Sequence, residues 1–300
     1  MSYAHRLVAT RGKTRRVATT AGRLCIFGVV PLLLLYAGTA GASAAGAPEL
    51  RESTLRSFRE SVASVETRNQ VNLQGGKFLW IDELPEEERK ADFAKLQHGE
   101  VVMQRLSGSA NGKPAEISGG MIHDWRGIVF IPGVKLAAVL ATLQDYNQHA
   151  KYYAPDVEES RIETRDGDHF RVFMRFRRHK VVTVVLNTEQ DITYYRDSPT
   201  QAHSRSTAIR IREVADPGTP NEHEKPANDH NGFLWQMETW WRMEERDGGV
   251  YVQNEAVTLT RDIPTGLGWL IEPFVTSIPK ETLAFTLGAT RSAVLTKARS

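Results

Sequence analysis

Cysteine is almost absent from this chain of 300 residues, and its absence excludes several kinds of chemistry. The only cysteine, Cys25, lies near the N-terminus, in a segment that we expect to be removed. The mature protein can then form no disulfide, hold no metal through thiolates and use no cysteine nucleophile. A glycine-rich phosphate loop, a nucleophile elbow and an HExxH zinc motif are missing as well. We therefore predict no metal site, no cofactor and no catalytic residue.

Acidic residues are missing from the first 44 positions, which hold six basic residues. An apolar segment from Leu24 to Tyr36 and the small residues 42–44 follow, and this order is typical of a secretory signal peptide. We therefore predict that residues 1–44 are a signal peptide and that the protein is exported, to the periplasm or beyond. The alternative is an uncleaved membrane anchor, because apolar and small residues continue to Ala45, far enough to span a bilayer. Membrane association is thus left open.

Net positive charge is also missing once that segment is set aside. The whole chain has 38 basic and 36 acidic residues. Removing six basic residues leaves 32 against 36, a net charge of −4. An acidic protein lacks the electrostatic footprint that nucleic acid requires, so we expect no nucleic-acid partner. The oligomeric state is not indicated.

Helical patterns occur near both ends of the sequence, and strand patterns lie between them. Two helices are predicted within residues 45–98, which we interpret as an N-terminal helical extension. Strand patterns follow, interrupted by a helix over Val134–Asn147. From Phe170 to Thr260 the apolar period is two within the strands, and a polar, Pro- and Gly-rich loop at Asp216–Gly232 separates two of them. A last helix is predicted over Ile278–Thr296. Strands flanked by helices, rather than alternating with them, are typical of an α+β fold with an antiparallel sheet.

The alternation along the strands predicts one apolar face rich in aromatic residues and methionines. Such side chains make adaptable pocket walls, although the same stripe also fits an ordinary core. The candidate wall residues are Trp125, Met174, Phe176, Trp235, Met237 and Trp241.

Polar residues within these apolar strands are candidates for orienting a ligand, because a buried polar group is costly unless it is paired. Arg205 and Asn254 rank first, since their neighbours of the same parity are apolar. The alternative is that they pair across strands or face water. His123 and Trp125 share a strand face that excludes Asp124, so a His–Asp relay is not expected there.

The last helix carries small side chains in the middle of its apolar face. Thr282 and Thr286 lie on a helical wheel between an edge with Phe285 and an edge with Leu287. A helix packed tightly on a sheet usually has its bulk in the middle. The pattern favours a face that borders a cavity, and the alternative is that the threonine hydroxyls bond to their own helix carbonyls.

Two stretches, IPGVKLAAVLATLQDY at Ile131–Tyr146 and LTRDIPTGLGWL at Leu259–Leu270, together with the long strands between them, resemble the START-like (SRPBCC) helix-grip superfamily. That group includes polyketide cyclase/dehydrase-type and lipid-transfer proteins. The resemblance implies a START-like domain over residues 99–300, with a curved antiparallel sheet wrapped around a long C-terminal helix. It also implies an internal ligand cavity, for which we expect Thr260–Thr276 to form an apolar lid.

The sequence therefore predicts an exported START-like protein that binds a hydrophobic small molecule or lipid without catalysis. One alternative is a cyclase- or dehydratase-like enzyme that uses polar cavity residues, with His203 and Glu255 as candidates. Another is a structural protein of the cell envelope. The ligand-binding residues predicted for the binder are Trp125, Met174, Phe176, Arg205, Trp235, Met237, Trp241, Asn254, Thr282, Phe285 and Thr286.

Overall fold

The fold is taken from a computed structural model, which describes residues 50–106, 115–179, 183–227, 229–262 and 268–299. The side chains of residues 115–116 and 268–276 are not described. The predicted signal peptide and residues 263–267 of the predicted lid lie outside the described residues.

One antiparallel sheet dominates the described chain. Its strands are β1 Val102–Arg105, β2 Ala115–Ile117, β3 Gly120–Pro132, β4 Val157–Asp166, β5 His169–His179, β6 Thr183–Ser198, β7 Gln201–Ala215, β8 His223–Glu224, β9 Gln236–Arg246 and β10 Gly249–Thr260. The order across the sheet is β1-β3-β10-β9-β7-β6-β5-β4, with β2 paired to β3 and β8 paired to β7. Strands β9 and β10 form a hairpin because the turn at Asp247–Gly248, with both residues at positive φ, reverses the chain.

The helices lie before, within and after this run of strands. They are α1 Glu52–Gln74, α2 Glu86–Gln97, α3 Leu136–Leu143, the single turn α4 His149–Tyr152 and α5 Gly268–Lys297. Helix α5 begins ten residues before the predicted Ile278, so part of the predicted lid is the first section of the helix. No helix among the described residues has the length and apolar character to cross a bilayer.

The sheet is curved, and α5 packs against its concave face. Leu283, Leu287 and Val294 of α5 join the main hydrophobic core with residues of β3, β10, β9 and β5 and with helix α3. At Gly127 the helix comes so close that a Cβ atom would lie 2.7 Å from Cδ1 of Leu287. This arrangement confirms the predicted α+β helix-grip fold.

The N-terminal extension packs against the convex face of the same sheet. Phe58, Val62 and Val65 of α1 contact apolar side chains of β3, β9 and β10. The segment between α1 and α2 places Leu79 and Trp80 in a further cluster with β3 and β10. Residues 50–98 therefore supply the second layer that keeps this side of the central strands out of water.

Charged residues lie buried between the extension and the convex face, where they pair with each other and with the backbone. Arg68 of α1 binds Glu255 of β10, which is 1% exposed. Arg242 of β9 donates to the carbonyl oxygens of Phe78 (2.8 Å) and Asn69 (3.2 Å). Further hydrogen bonds run from Arg126 Nε to Gln104 Oε1 at 2.9 Å and from the backbone N–H of Trp80 to Gln253 Oε1 at 2.9 Å. Pairing of this kind is what makes buried charge tolerable.

One carboxyl of this network has a strongly altered acidity. Burial, followed by the adjacent charge of Glu255, raises the pKa of Asp124 to about 7, although Arg68 and Arg126 act in the opposite direction. Two carboxyl groups that share a buried site resist losing both protons. Burial and the neighbouring carboxylate therefore both disfavour the charged form of Asp124 and raise its pKa.

Two strand features were not predicted. Strand β4 is an edge strand with mostly exposed, charged side chains, so its sequence lacks the apolar alternation used to recognise strands. The β6–β7 pair contains a register shift, with Glu189 opposite Arg210 and Gln190 opposite Ala208, which leaves Ile209 as an additional residue. Such a bulge reverses the inward and outward parity of the strand beyond it.

Candidate ligand-binding site

Helix α5 covers the concave face unevenly. Its backbone lies close to β3 and β10, on one side of the sheet, and makes far fewer close approaches to the middle strands β9, β7 and β6. On the opposite side the helix is tied to β5 by a side chain, since Arg178 Nη2 donates to Thr282 Oγ1 at 2.8 Å. The same arginine binds Asp156 at 2.8 Å. Helix α5 thus bridges the sheet between an attachment to β3, through Leu287 and Arg291, and one to β5, through Thr282.

The sheet surface beneath this bridge, which we call the floor, is apolar and aromatic. Cross-strand register places Asn254 opposite both Gly127 and Trp241, and Thr258 opposite Met237, so these side chains share the concave face. Trp241 and Met237 are only partly buried, as are Trp125 and Phe176. At the other end of the sheet the concave residues Val129, Val252 and Met243 are fully buried against α3 and α5. The concave face therefore has a closed half and a half that stays accessible.

The predicted ligand-binding residues divide between the two faces. Trp125, Met174, Phe176, Met237, Trp241 and Asn254 lie on the concave face, and Thr282, Phe285 and Thr286 lie half-buried on α5.

Arg205 and Trp235 do not lie on the concave face. Arg205 is opposite Trp240 and pairs with Glu66 of α1 at 2.8 Å on the convex face. Its parity was inferred from Ile209 and Ile211. Ile209 is the additional residue of the bulge and is 46% exposed, and Ile211 lies beyond the bulge, where the faces are reversed. Trp235 precedes β9 and packs in the convex cluster with α1.

The threonines of α5 bond along their own helix. Thr286 Oγ1 donates to the carbonyl oxygen of Thr282 at 2.9 Å, and Thr290 Oγ1 donates to that of Thr286 at 2.8 Å. The most buried side of the helix carries Leu283, Leu287 and Thr290 rather than Thr286. This is the alternative arrangement of the hydroxyl groups, and Thr286 itself is half-buried.

Polar side chains on the floor, which the sequence did not single out, satisfy each other across β6 and β7. Ser206 Oγ donates to Gln190 Oε1 at 3.1 Å, and Thr188 Oγ1 donates to the carbonyl oxygen of Met174 at 3.1 Å. Gln190 Nε2 lies 3.4 Å from Thr188 Oγ1. This hydrogen-bonded row gives one side of the floor a polar stripe whose groups need no further partner.

Several donors at the β3 side of the floor have no partner among the residues that the structure describes. They are Arg105 Nε and Nη2, Trp125 Nε1 and Asn254 Nδ2, all shielded from water. Arg105 lies directly opposite Trp125 in the β1–β3 pair, so both side chains share the concave face. The guanidinium carbon is 5.4 Å from the centroid of the Trp125 ring. Buried polar groups without partners are uncommon in proteins and each calls for an explanation.

His123 lies on the same side of the floor and is held neutral. Burial, together with the positive charge of Arg105, lowers its pKa to about 4. Its Nε2 lies 3.1 Å from Thr260 Oγ1, and its Nδ1 has no partner. His123 therefore contributes a hydrogen-bonding group but no charge at neutral pH.

The closed half of the concave face contains a cluster of tyrosines that the sequence analysis did not identify. The hydroxyl groups of Tyr146 and Tyr194 are 2.8 Å apart, and Tyr153 Oη lies 3.0 Å from Thr290 Oγ1. Burial lowers the pKa of the adjacent His149 to about 4 and raises that of Tyr153 to about 12. These neutral groups close that end of the face through hydrogen bonds and ring contacts.

The residues considered for catalysis lie elsewhere. His203 is opposite Arg242 in the β7–β9 pair and pairs with Asp197 at 2.7 Å, away from the floor. Glu255 belongs to the buried network under the extension. Strands β3 and β10, which are described in full, present no carboxylate toward α5.

The chain matches no family model and no curated protein. Several solved structures are similar to it. A protein of Thermus thermophilus is 16% identical, with a TM-score of 0.42, over 57% of this chain and 97% of that one. A STAR-related lipid transfer protein of Xanthomonas axonopodis is 16% identical, with a TM-score of 0.41, over 64% and 98%. The Zhui aromatase/cyclase of a Streptomyces species is 10% identical, with a TM-score of 0.39, over 60% and 97%.

The fold assignment rests on this chain's own strand order and on the position of α5 against the concave face. Because of these features, the fold of the chain is the START-like helix-grip fold.

Proposed function

We propose that this protein binds a hydrophobic small molecule or lipid between the concave face and the N-terminal half of α5, without catalysing a reaction on it. The observation that carries the proposal is the uneven cover of that face. Among the strands, the helix backbone lies close mainly to β3 and β10, and Trp125, Met237 and Trp241 of the floor stay partly accessible. Ligand sites are typically concave and apolar, with a few polar groups that fix orientation.

The chemistry of the floor supports binding rather than catalysis. The histidine on the floor, His123, has no carboxylate on β3 or β10 to orient it. Its pKa of about 4 is also far from the value near 7 that suits a general base. His203 and Glu255, the residues considered for an enzyme, are separated from the floor by the sheet itself.

Native mass spectrometry of the full chain purified from its own cell envelope tests the proposal. We expect a hydrophobic molecule to remain bound, and to be identified after extraction. Trp241→Ala should weaken its retention by about tenfold, because an aromatic wall contact is worth roughly 1 kcal/mol or more. Tyr195→Ala is the matched control, since Tyr195 is 48% exposed on β6.

Two results would contradict this function. Protein that carries no hydrophobic molecule, and that takes up none from a panel of fatty acids and lipids, is not a binder of this kind. Conversion of a bound compound into a different product would favour the cyclase- or dehydratase-like alternative.

We also propose that the chain is exported and that residues 1–44 are its signal peptide. The order of basic, apolar and small residues supports this. N-terminal sequencing of the protein from periplasmic and membrane fractions is the test. A mature N-terminus near residue 45 in the soluble fraction is expected, whereas an intact N-terminus in the membrane fraction would indicate an anchor.

A further inference from the structure

The concave face has a concentration of hydrogen-bond donors and positive charge at its β3 side that its own residues do not use. Arg105 presents Nε and Nη2, and Trp125 presents Nε1, each shielded from water and without a partner in the described part of the chain. Nδ2 of Asn254, a residue that is 3% exposed, is likewise unpartnered. Unused donors of this number gathered at one side of a binding face are not explained by the fold.

Arg105 lacks a counterion among the described residues. Its pKa is lowered by burial, and no neighbouring carboxylate acts against that shift. The two adjacent strands that face α5, β3 and β10, carry no acidic residue on this side. The buried arginines of the convex face differ in this respect, since Arg126 and Arg242 both feel the charges of Glu83 and Glu255. A partly buried cation is costly to keep without an opposite charge.

A second cation approaches the same point from the helix. Nζ of Lys280 lies 5.9 Å from the centroid of the Trp125 ring, and the guanidinium carbon of Arg105 lies 5.4 Å from it. One cation comes from the sheet edge and the other from α5, so the Trp125 ring lies between the two elements that enclose the site. An anion beside this ring would meet two positive charges and the indole N–H.

From these contacts we propose that Arg105 and Trp125 Nε1 bind the anionic head group, a carboxylate or a phosphate, of an amphipathic ligand whose apolar part lies on the floor. This inference rests on the proposed function and specifies the ligand class. Arginine presents paired N–H groups that match the geometry of carboxylate and phosphate. Lys280 adds attraction from α5, and Asn254 offers a further donor toward the middle of the floor.

The test compares probes that share one tail and differ in their head groups. Binding of laurate, dodecyl phosphate, dodecanol and methyl laurate to the full chain is measured by displacement of an environment-sensitive fluorophore, below the micellar concentration of each probe. We expect laurate, dodecyl phosphate or both to bind at least about tenfold more tightly than dodecanol and methyl laurate, as hydrogen bonds to a charged group imply. The comparison of laurate with dodecyl phosphate identifies which anion fits.

Two variants test which residues cause the preference for the anionic probes. Arg105→Gln should abolish the advantage of the anionic probes while leaving dodecanol affinity within about twofold of wild type. Trp125→Phe, which keeps an aromatic ring but removes the N–H, should reduce the advantage in part. Arg171→Gln, which changes an exposed arginine of β5, is the control and should retain the full preference.

Failure of this inference can be told apart from failure of the proposed function. If all four probes bind wild type with equal affinity, or if Arg105→Gln keeps the anion preference, the head-group assignment is wrong and the binding function stands. If none of the probes binds, the binding function fails and the head-group assignment fails with it. Arg105→Gln should fold, because it removes a charge that has no counterion among the described residues, and circular dichroism of the variant checks this.

Discussion

The two faces of the central strands differ in how their buried cations are neutralised, although each face also has shielded side-chain atoms without a hydrogen-bond partner among the described residues. On the convex face Arg68, Glu255 and Arg242 are partnered by each other or by backbone carbonyl groups of the extension. On the concave face Arg105 and Asn254 carry donors that are equally shielded from water but have no partner among the described residues. The same strands, β3 and β10, contribute to both faces, so the difference lies in what covers them.

The difference separates a surface covered by the chain itself from one that is open to a ligand. Residues 50–98 cover the convex face with a segment that supplies partners to Glu255, Arg242 and Gln253, although its own Arg68 Nε and Trp80 Nε1 have no partner among the described residues. Helix α5 covers the concave face but leaves the β3 side of the floor with unmatched donors. Unsatisfied groups of this kind are expected where an external molecule completes the hydrogen bonding.

The largest expected loss of stability comes from replacing a residue of the convex face whose charge and hydrogen bonds are paired. Arg242→Leu should lower the free energy of unfolding by about 3–5 kcal/mol, because it leaves the buried carboxylate of Glu255 with less positive charge and orphans two carbonyl groups. Denaturation in urea measures the change. Arg105→Gln is the comparison on the concave face and should leave the stability of ligand-free protein within about 1 kcal/mol. Equal losses for the two variants would remove the contrast between the faces.

Helix α5 allows a second comparison between its packed and its less covered sides. Leu287→Ala should cost about 2–5 kcal/mol, since Leu287 is fully buried against Gly127. Thr286→Leu should stay within about 1 kcal/mol, because the half-buried threonine bonds only to its own helix and leucine has good helix propensity. The same variant should weaken ligand capture by filling space beside the floor. A strongly destabilised Thr286→Leu protein would mean that this side of α5 is close-packed.

The carboxyl pair of the convex face predicts a pH dependence of a definite sign. An unfolded aspartate has a pKa near 3.9, whereas burial and Glu255 raise that of Asp124 to about 7. The folded protein therefore holds an additional proton between these values, so this contribution to stability is present at low pH and is lost as pH rises toward 7. Asp124→Asn lacks the titrating group. Its free energy of unfolding should therefore rise relative to that of wild type by at least about 1 kcal/mol between pH ~5 and pH ~8.

Unfolding free energies of both proteins across this pH range provide the measurement. Asp166→Asn, at an exposed carboxyl near the end of β4, is the control substitution. Parallel stability curves for Asp124→Asn and wild type would show that Asp124 does not titrate in the folded protein near neutral pH.

The smallest expected change in stability belongs to an unmatched group of the floor. Asn254→Leu should alter the free energy of unfolding by less than about 1 kcal/mol and in the stabilising direction, because it removes a buried donor without a partner at similar volume. Ligand affinity should nevertheless fall if Asn254 contributes to the site. Thermal unfolding without ligand and probe binding, measured side by side, separate the two effects. A loss of several kcal/mol would reveal a partner for Asn254 within the protein.

Much of the composition of the concave face could be predicted from strand parity, and the errors in that prediction have local causes. Trp125, Trp241 and Asn254 lie on the concave face because β3, β9 and β10 are regular there. Arg205 was placed on the wrong face because a bulge, which has no apolar signature, separates it from Ile211. Arg105 is the last residue of the short strand β1, and no pattern in the sequence indicates a role for it. Its importance depends on the residue opposite it, Trp125, which lies twenty positions further along the chain.

The sequence by itself determined the α+β class, the main helices and strands and the apolar face of the long strands, because periods of two and of 3.6 residues are properties of neighbouring positions. Tertiary structure decided how those elements share their surfaces. It placed the extension on the convex face, where it supplies partners to Glu255 and Gln253. It also placed Arg105 beside Trp125, with no hydrogen-bond partner for either among the described residues. Whether a polar group is satisfied depends on residues that are distant in the chain, and only the folded packing brings those residues within hydrogen-bonding distance.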